Sequence, residues 1–244
     1  MWGLQRKKRR DAMMVMLANS SSMATGYLAG KYEGRIGWLL SPGGWRNPHS
    51  WLSYAMDNGA FPIWTKGQQW QDAPFYEHLQ RIVGHTNKPR WIAVPDSVGN
   101  REETLRMWFS HSPRVATFGC PLAFVVQDGM TPADVPPNAD VVFVGGTDAW
   151  KMKALGNFTR SFPRVHVGRI NGEKGLWQCH EAGAESCDGT GWMRCGEERI
   201  APLVRYLEQS TGGRYQRELW ADAKKPVAKR DGQLPIDYQN LPNW

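Results

Sequence analysis

About eight short apolar runs recur along this chain, most of them separated by enough residues for a helix, and no other feature constrains the fold as strongly. The runs cover residues 14–18, 36–40, 54–56, 91–94, 122–126, 141–144, 165–167 and 184–187. Between them lie amphipathic stretches at 73–83, 101–109 (opened by Asn100 as N-cap), 148–158 and 172–182, with 199–209 as the last helix. Continuous apolar strands alternating with helices belong to a parallel sheet buried on both faces. About eight repeats favour an α/β fold of the closed (β/α)8 TIM-barrel type over an open doubly wound sheet.

The 244 residues allow one large domain or two small ones, and the unbroken alternation favours one. The expected barrel occupies 13–211, preceded by a basic arm at 1–12 and followed by a polar tail, rich in Lys, Pro and Gly, at 212–244. The net charge of +7 suggests a polyanionic partner, but Arg6, Lys7, Lys8, Arg9 and Arg10 supply five of those charges. Two readings of that run stand: an arm that grips phosphates, or a solvated tail ahead of an alternative start at Met13 or Met14. The apolar run at 14–18 is too short for a signal sequence or a membrane span, which predicts a soluble, cytoplasmic protein without a membrane partner. Without a secretory signal, the four cysteines are expected as free thiols. Of the thirteen tryptophans, most are expected in the core, although aromatics among Arg and Lys also stack on unpaired bases.

The informative polar residues follow the runs. Asp57-Asn58-Gly59-Ala60-Phe61 follows the third, Pro95-Asp96 the fourth, Gln127-Asp128-Gly129 the fifth, Gly145-Gly146-Thr147 the sixth and Asp188 the eighth. Barrel enzymes assemble their sites from the C-terminal ends of different strands, so these groups are expected to meet at one mouth. Two carboxylates (Asp57, Asp96), the amide of Gln127 and the Gly145-Gly146 backbone can read the edge of a planar heterocycle, and Phe61 offers a face for it to stack on. Asp188, before a Gly-x-Gly turn, is expected to stand exposed at a strand end, either as a nucleophile for a sugar carbon or as an Asp that merely opens a turn.

These residues resemble the motifs of the tRNA-guanine transglycosylase superfamily. Asp57-Asn58-Gly59-Ala60-Phe61 is similar to its Asp-Ser-Gly-Gly/Ala-Phe/Tyr motif, and Val125-Val126-Gln127 with Val144-Gly145-Gly146 to its Gln-Gly and Val-Gly-Gly motifs. Ser186-Cys187-Asp188, with Arg194 six residues on, resembles Phe-Asp-Cys-x-x-Pro-Thr-Arg at the same Asp-to-Arg spacing. The motifs keep the family's order from Met14 to Arg205.

The resemblance implies that Asp188 attacks C1′ of a target guanosine and that Asp57 is the general acid/base. It further implies that Asp96, Gln127, Gly145 and Gly146 bind the base between Phe61 and the Val167-Gly168 segment. Thr147 would read the 7-substituent, and Arg194 would hold the sugar-phosphate. Two departures stand out. Family members acting on tRNA carry a Cys-x-Cys-x-x-Cys plus His zinc site after the nucleophile, whereas here only Cys195 follows it. Cys179, His180, Cys187 and Cys195 could in principle ligate zinc, but they match no established zinc spacing, so no metal or other cofactor is expected. The chain also leaves no room for an RNA-binding domain behind the barrel. Both departures resemble the compact branch of the superfamily that exchanges guanine in DNA for a free 7-deazaguanine base. A tRNA-acting transglycosylase, a glycoside or nucleoside hydrolase that lets water resolve the intermediate, and a non-catalytic nucleic-acid-binding barrel remain as alternatives.

Overall fold

The structure, a computed structural model, describes residues 13–18, 22–193 and 197–211. Eight parallel strands close into a barrel in strict sequence order: β1 (Met14–Ala18), β2 (Ile36–Leu40), β3 (Tyr54–Met56), β4 (Ile92–Ala93), β5 (Leu122–Val126), β6 (Val141–Val144), β7 (Val165–Val167) and β8 (Ser186–Gly189). The helices are α1 (Met23–Lys31), α2 (Ala60–Trp64), α3 (Asp72–Gln80), α4 (Arg101–Ala116), α5 (Asp148–Ser161), α6 (Glu173–Ala182) and α7 (Glu197–Thr211). The expected TIM-type (β/α)8 barrel is therefore the observed fold. After β2 and β5 the crossovers contain only short 3-10 turns, Pro42–Gly44 and Pro132–Asp134.

Strand alternation sorts the apolar residues into two layers. Met14, Met16, Leu39, Ala55, Trp91, Ala93, Ala123, Val125, Val141 and Phe143 pack together inside the barrel. Their neighbours of opposite parity, among them Val15, Leu17, Ile92, Phe124, Val126, Val144 and Val167, pack outward against the helices. The same parity directs His166 of β7 and Ser186 and Asp188 of β8 inward, so one sector of an otherwise apolar lumen is polar.

Asn100 caps α4 as expected, its side chain accepting from Glu103 N at 3.1 Å. That helix runs on past 109 through Pro113 to Ala116, because Ser112 and Val115 continue the buried face begun by Met107 and Trp108. Two other helices, α1 and α2, are absent from the reading of the apolar pattern. The former starts at the Ser22 cap, whose Oγ accepts from Thr25 N, and its buried stripe is only Thr25, Leu28 and Ala29.

The last strand begins two residues later than its apolar run. Gly183 adopts φ 82° at the end of α6, and Ala184 N donates to Cys179 O at 3.0 Å. That hydrogen bond draws residue 184 into the helix C-cap. Asp188 is consequently inside β8, paired in register with Met16, and only 4% exposed, rather than standing in solvent after the strand.

At the opposite, N-terminal end of the barrel, Glu185 accepts from Arg164 Nε at 3.0 Å and pairs with Arg90. Burial opposes its ionisation, but the hydrogen bonds from Arg164 and Arg90 outweigh it and hold the Glu185 carboxyl below its usual range. Arg35 links the two chain ends of the barrel, donating to Met13 O and to Ser210 Oγ on α7. The expected arm and tail at 1–12 and 212–244, with Arg6, Lys7, Lys8, Arg9 and Arg10, lie outside the described residues.

Candidate active site

The C-terminal mouth of the barrel opens into a cavity of about 1040 Å³. Asp57, Phe61, Asp96, Gln127, Gly145, Gly146, Gly168 and Asp188, which come from six different strand ends, all line it. A smaller cavity of about 510 Å³ adjoins it beneath α2 and shares Trp70 and Asp96 with it.

Asp57 leaves the end of β3 and turns back on itself. Gly59 has φ 74°, a left-handed conformation open to glycine at little cost, and its N–H donates to Asp57 Oδ2 at 3.3 Å. The turn starts α2, which carries Phe61. Asn58 is buried and braces this loop: Nδ2 donates to Val94 O at 2.9 Å and to Asp96 Oδ1 at 2.7 Å, while Oδ1 accepts from Ala60 N at 2.8 Å. Gln127 completes the bracket, with Nε2 donating to Asp96 Oδ2 at 2.6 Å and Oε1 accepting from Gly99 N at 3.0 Å. Both oxygens of Asp96 thus already accept from amides. A ligand meeting Asp96 and Gln127 would use their remaining lone pairs and the second amide hydrogen of Gln127.

The carboxyls respond to this environment. Burial, then the charges of Asp188 and Asp96, push Asp57 up to about 7, against the Gly59 and Asn58 backbone N–H groups. Burial pushes Asp96 up to about 6, against the hydrogen bonds from Asn58 and Gln127. A carboxyl poised near neutrality beside a second carboxylate is the electrostatic pattern of an acid/base and nucleophile pair.

Asp188 Oδ1 accepts from Arg169 N at 3.1 Å and lies 3.2 Å from His166 Nε2. Gly168, between them in the chain, leaves room for the Phe143 ring, which a Cβ there would meet at 2.5 Å. Its carbonyl in turn accepts from Lys151 Nζ at 2.6 Å, a fully buried lysine on α5 that also pairs with Asp148 at 2.8 Å.

Three expectations meet a different geometry. The Val167 side chain points into the layer between barrel and helices, so only the backbone of the 167–168 segment faces the mouth, at Gly168. Thr147 lies outside the cavity lining, where its N–H and hydroxyl donate to Asp128 at 2.6 and 2.7 Å and it caps α5. Phe61 reaches the cavity, but its ring already lies under the Arg169 guanidinium at 4.2 Å. Arg194 and Cys195 lie outside the described residues. Among the described residues Cys120, Cys179 and Cys187 are free and buried, and no cluster of His, Cys, Asp or Glu could hold a metal ion. No helix there is long and apolar enough to cross a membrane.

Sequence reasoning missed Arg169, Asn58 and His166. Arg169 has φ 61°, the one positive value outside glycine among the described residues, and nothing in the local sequence announces it. His166 did leave a signal, as the sole titratable side chain within a run of valines. A search of protein-family models finds no match to the chain, and neither does a search of curated proteins.

Proposed function

We propose that this protein exchanges guanine in DNA for a 7-deazaguanine base by double displacement at Asp188. What carries the reading is the convergence of Asp57 and Asp188 on one cavity, with Asp57 raised to about 7. The ordered motifs around these residues and the Asp96–Gln127 bracket, which suits the polar edge of a purine-like ring, support it further. The preference for DNA over tRNA rests on the sequence after Asp188, which lacks the Cys-rich zinc motif of the tRNA-acting relatives.

In the first half-reaction, Asp188 Oδ2 attacks C1′ of a deoxyguanosine flipped into the mouth, from the face opposite the base. The O–C1′ bond forms as the C1′–N9 bond breaks, and the electron pair leaves with guanine, which takes the proton of Asp57. In the second, the incoming 7-deazaguanine gives its N9 proton to the Asp57 carboxylate and attacks C1′. The ester bond breaks and regenerates Asp188. Two inversions retain the anomeric configuration, and one carboxyl near pKa 7 serves as acid and then as base.

The test is release of labelled guanine from duplex DNA and, separately, from tRNA, upon addition of the cyano or aminomethyl 7-deazaguanine. Base-dependent release from DNA is expected. Release from tRNA alone would transfer the activity to the other substrate, and base-independent release would make the protein a hydrolase.

A further inference from the structure

Inside the barrel, directly below the proposed nucleophile, lies a second polar pair that the double-displacement scheme leaves without a role. His166 is fully buried on β7, its ring held between those of Trp91 and Phe143 at centroid distances of 4.7 and 4.6 Å. Its Nε2 stands 3.2 Å from Asp188 Oδ1, and its Nδ1 stands 2.8 Å from the hydroxyl of Ser186, which is 1% exposed. Ser186 is also His166's partner in the β7–β8 register.

A lone histidine in an apolar lumen is costly to bury unless both ring nitrogens are satisfied. Here each ring nitrogen has a partner, and the one at Nε2 fixes its role. A carboxylate oxygen only accepts, so Nε2 carries the hydrogen toward Asp188. Ser186 Oγ, which can donate or accept, satisfies Nδ1. Asp188 Oδ1 therefore faces two donors, His166 Nε2–H and Arg169 N–H, whereas Oδ2 accepts from no described residue and the side chain lines the cavity.

We propose that His166, oriented by Ser186, is a positioning residue that holds Oδ1 of Asp188 as the spectator oxygen and aims Oδ2 at the reacting carbon. The inference rests on the reading of Asp188 as the nucleophile. When the ester forms through Oδ2, Oδ1 becomes its carbonyl oxygen and keeps both hydrogen bonds. When the ester breaks, the same donors receive the returning charge. Trp91 and Phe143 keep the imidazole from rotating away, so the carboxylate plane is set before substrate arrives.

The test uses the full chain with His166→Phe, His166→Gln and Ser186→Ala. His166→Phe fills the slot without a donor, whereas the glutamine amide nitrogen can stand where Nε2 stood. Formation of the glycosyl-enzyme at saturating DNA is expected to slow roughly 10- to 100-fold in His166→Phe, the range for loss of a buried hydrogen bond to a charged group. His166→Gln should recover most of that loss. Ser186→Ala should fall between, and affinity for the free base should stay constant in all three. A merely structural histidine would leave Phe and Gln equally impaired, and that result, or a wild-type rate in His166→Phe, overturns the proposal.

Nitrogen-15 spectra of wild-type His166 provide a readout that needs no folded variant and no substrate. A hydrogen on Nε2 is expected, and a ring carrying its hydrogen on Nδ1 alone would overturn the assignment. If wild type forms no glycosyl-enzyme on any nucleic acid, the proposed function fails, while the spectra still decide whether His166 donates to Asp188.

Discussion

The Arg169 guanidinium lies 4.2 Å over the face of the Phe61 ring, and the same side chain donates to Gly146 O across the mouth. In this arrangement the aromatic face expected to stack a base is covered, and the cover is anchored by a residue with φ 61°. A base stacking on Phe61 must displace the guanidinium. Arg169→Gly keeps the N–H that reaches Asp188, relieves the positive φ and removes the competitor. Free 7-deazaguanine should then bind roughly 2- to 30-fold more tightly, the worth of a cation–π contact, with no fall in melting temperature. Weaker binding by calorimetry would instead make Arg169 part of the base site.

Asp188→Asn should retain base binding and lose exchange, because the amide fills the same space but cannot form the glycosyl ester. On denaturing gels the wild type with DNA should give a slowly migrating covalent species that the variant lacks. Exchange at the wild-type rate by the variant would remove Asp188 from the mechanism.

The raised Asp57 carboxyl predicts opposite pH dependences for the two half-reactions. Guanine release needs the protonated form, so it should fall as pH rises through about 7. Capture of the incoming base needs the carboxylate and should fall as pH drops below that value. Stability follows the same sign. A carboxyl whose folded pKa lies above its unfolded value near 3.8 binds its proton more tightly when folded, so its contribution declines as pH rises from about 4 to 7. Asp57→Asn should therefore raise the melting temperature at pH 8 more than at pH 4. Single-turnover rates and melting curves across pH check both, and a parallel pH response of the two half-reactions would exclude Asp57 as their shared acid/base.

Gln127→Ala should weaken free-base binding by about 1–3 kcal/mol, both directly and by leaving Asp96 Oδ2 without the amide that now donates to it at 2.6 Å. Duplex affinity measured on the same protein should change little. Unchanged affinity for the free base would locate the pocket elsewhere.

Glu185, at the far end of the barrel, tests the separation of stability from chemistry. Glu185→Gln weakens the pairs with Arg90 and Arg164 and should cost about 1–3 kcal/mol at pH 7. Because the folded pKa lies below the usual value of 4.5, this stabilisation is present above that pH and is lost as pH falls through the folded value. The difference between wild type and variant in urea melts should shrink toward pH 3, with base binding at the opposite mouth unaffected.

The recurrence of the apolar runs was enough to specify a closed parallel barrel, because strands buried on both faces are apolar along most of their length. The polar residues that end those runs were equally legible: Asp57 and Gln127 follow their strands directly and Asp96 comes three residues after β4, and closure of the sheet brings strand ends together without further information. What local pattern could not supply was anything that depends on where a chain segment is clamped. The start of β8 was displaced by the Gly183 cap of α6, which turned Asp188 from an expected exposed strand end into a buried, inward-facing group. The contact between His166 and Asp188 spans 22 residues and exists only because two adjacent strands share a register and a parity. Arg169 over Phe61 joins the segment after β7 to α2, and its φ of 61° is a conformation that arginine does not favour locally. Periodicity encodes burial, and burial encodes the barrel. Which oxygen of a carboxylate meets which donor is decided by packing between segments far apart in the chain.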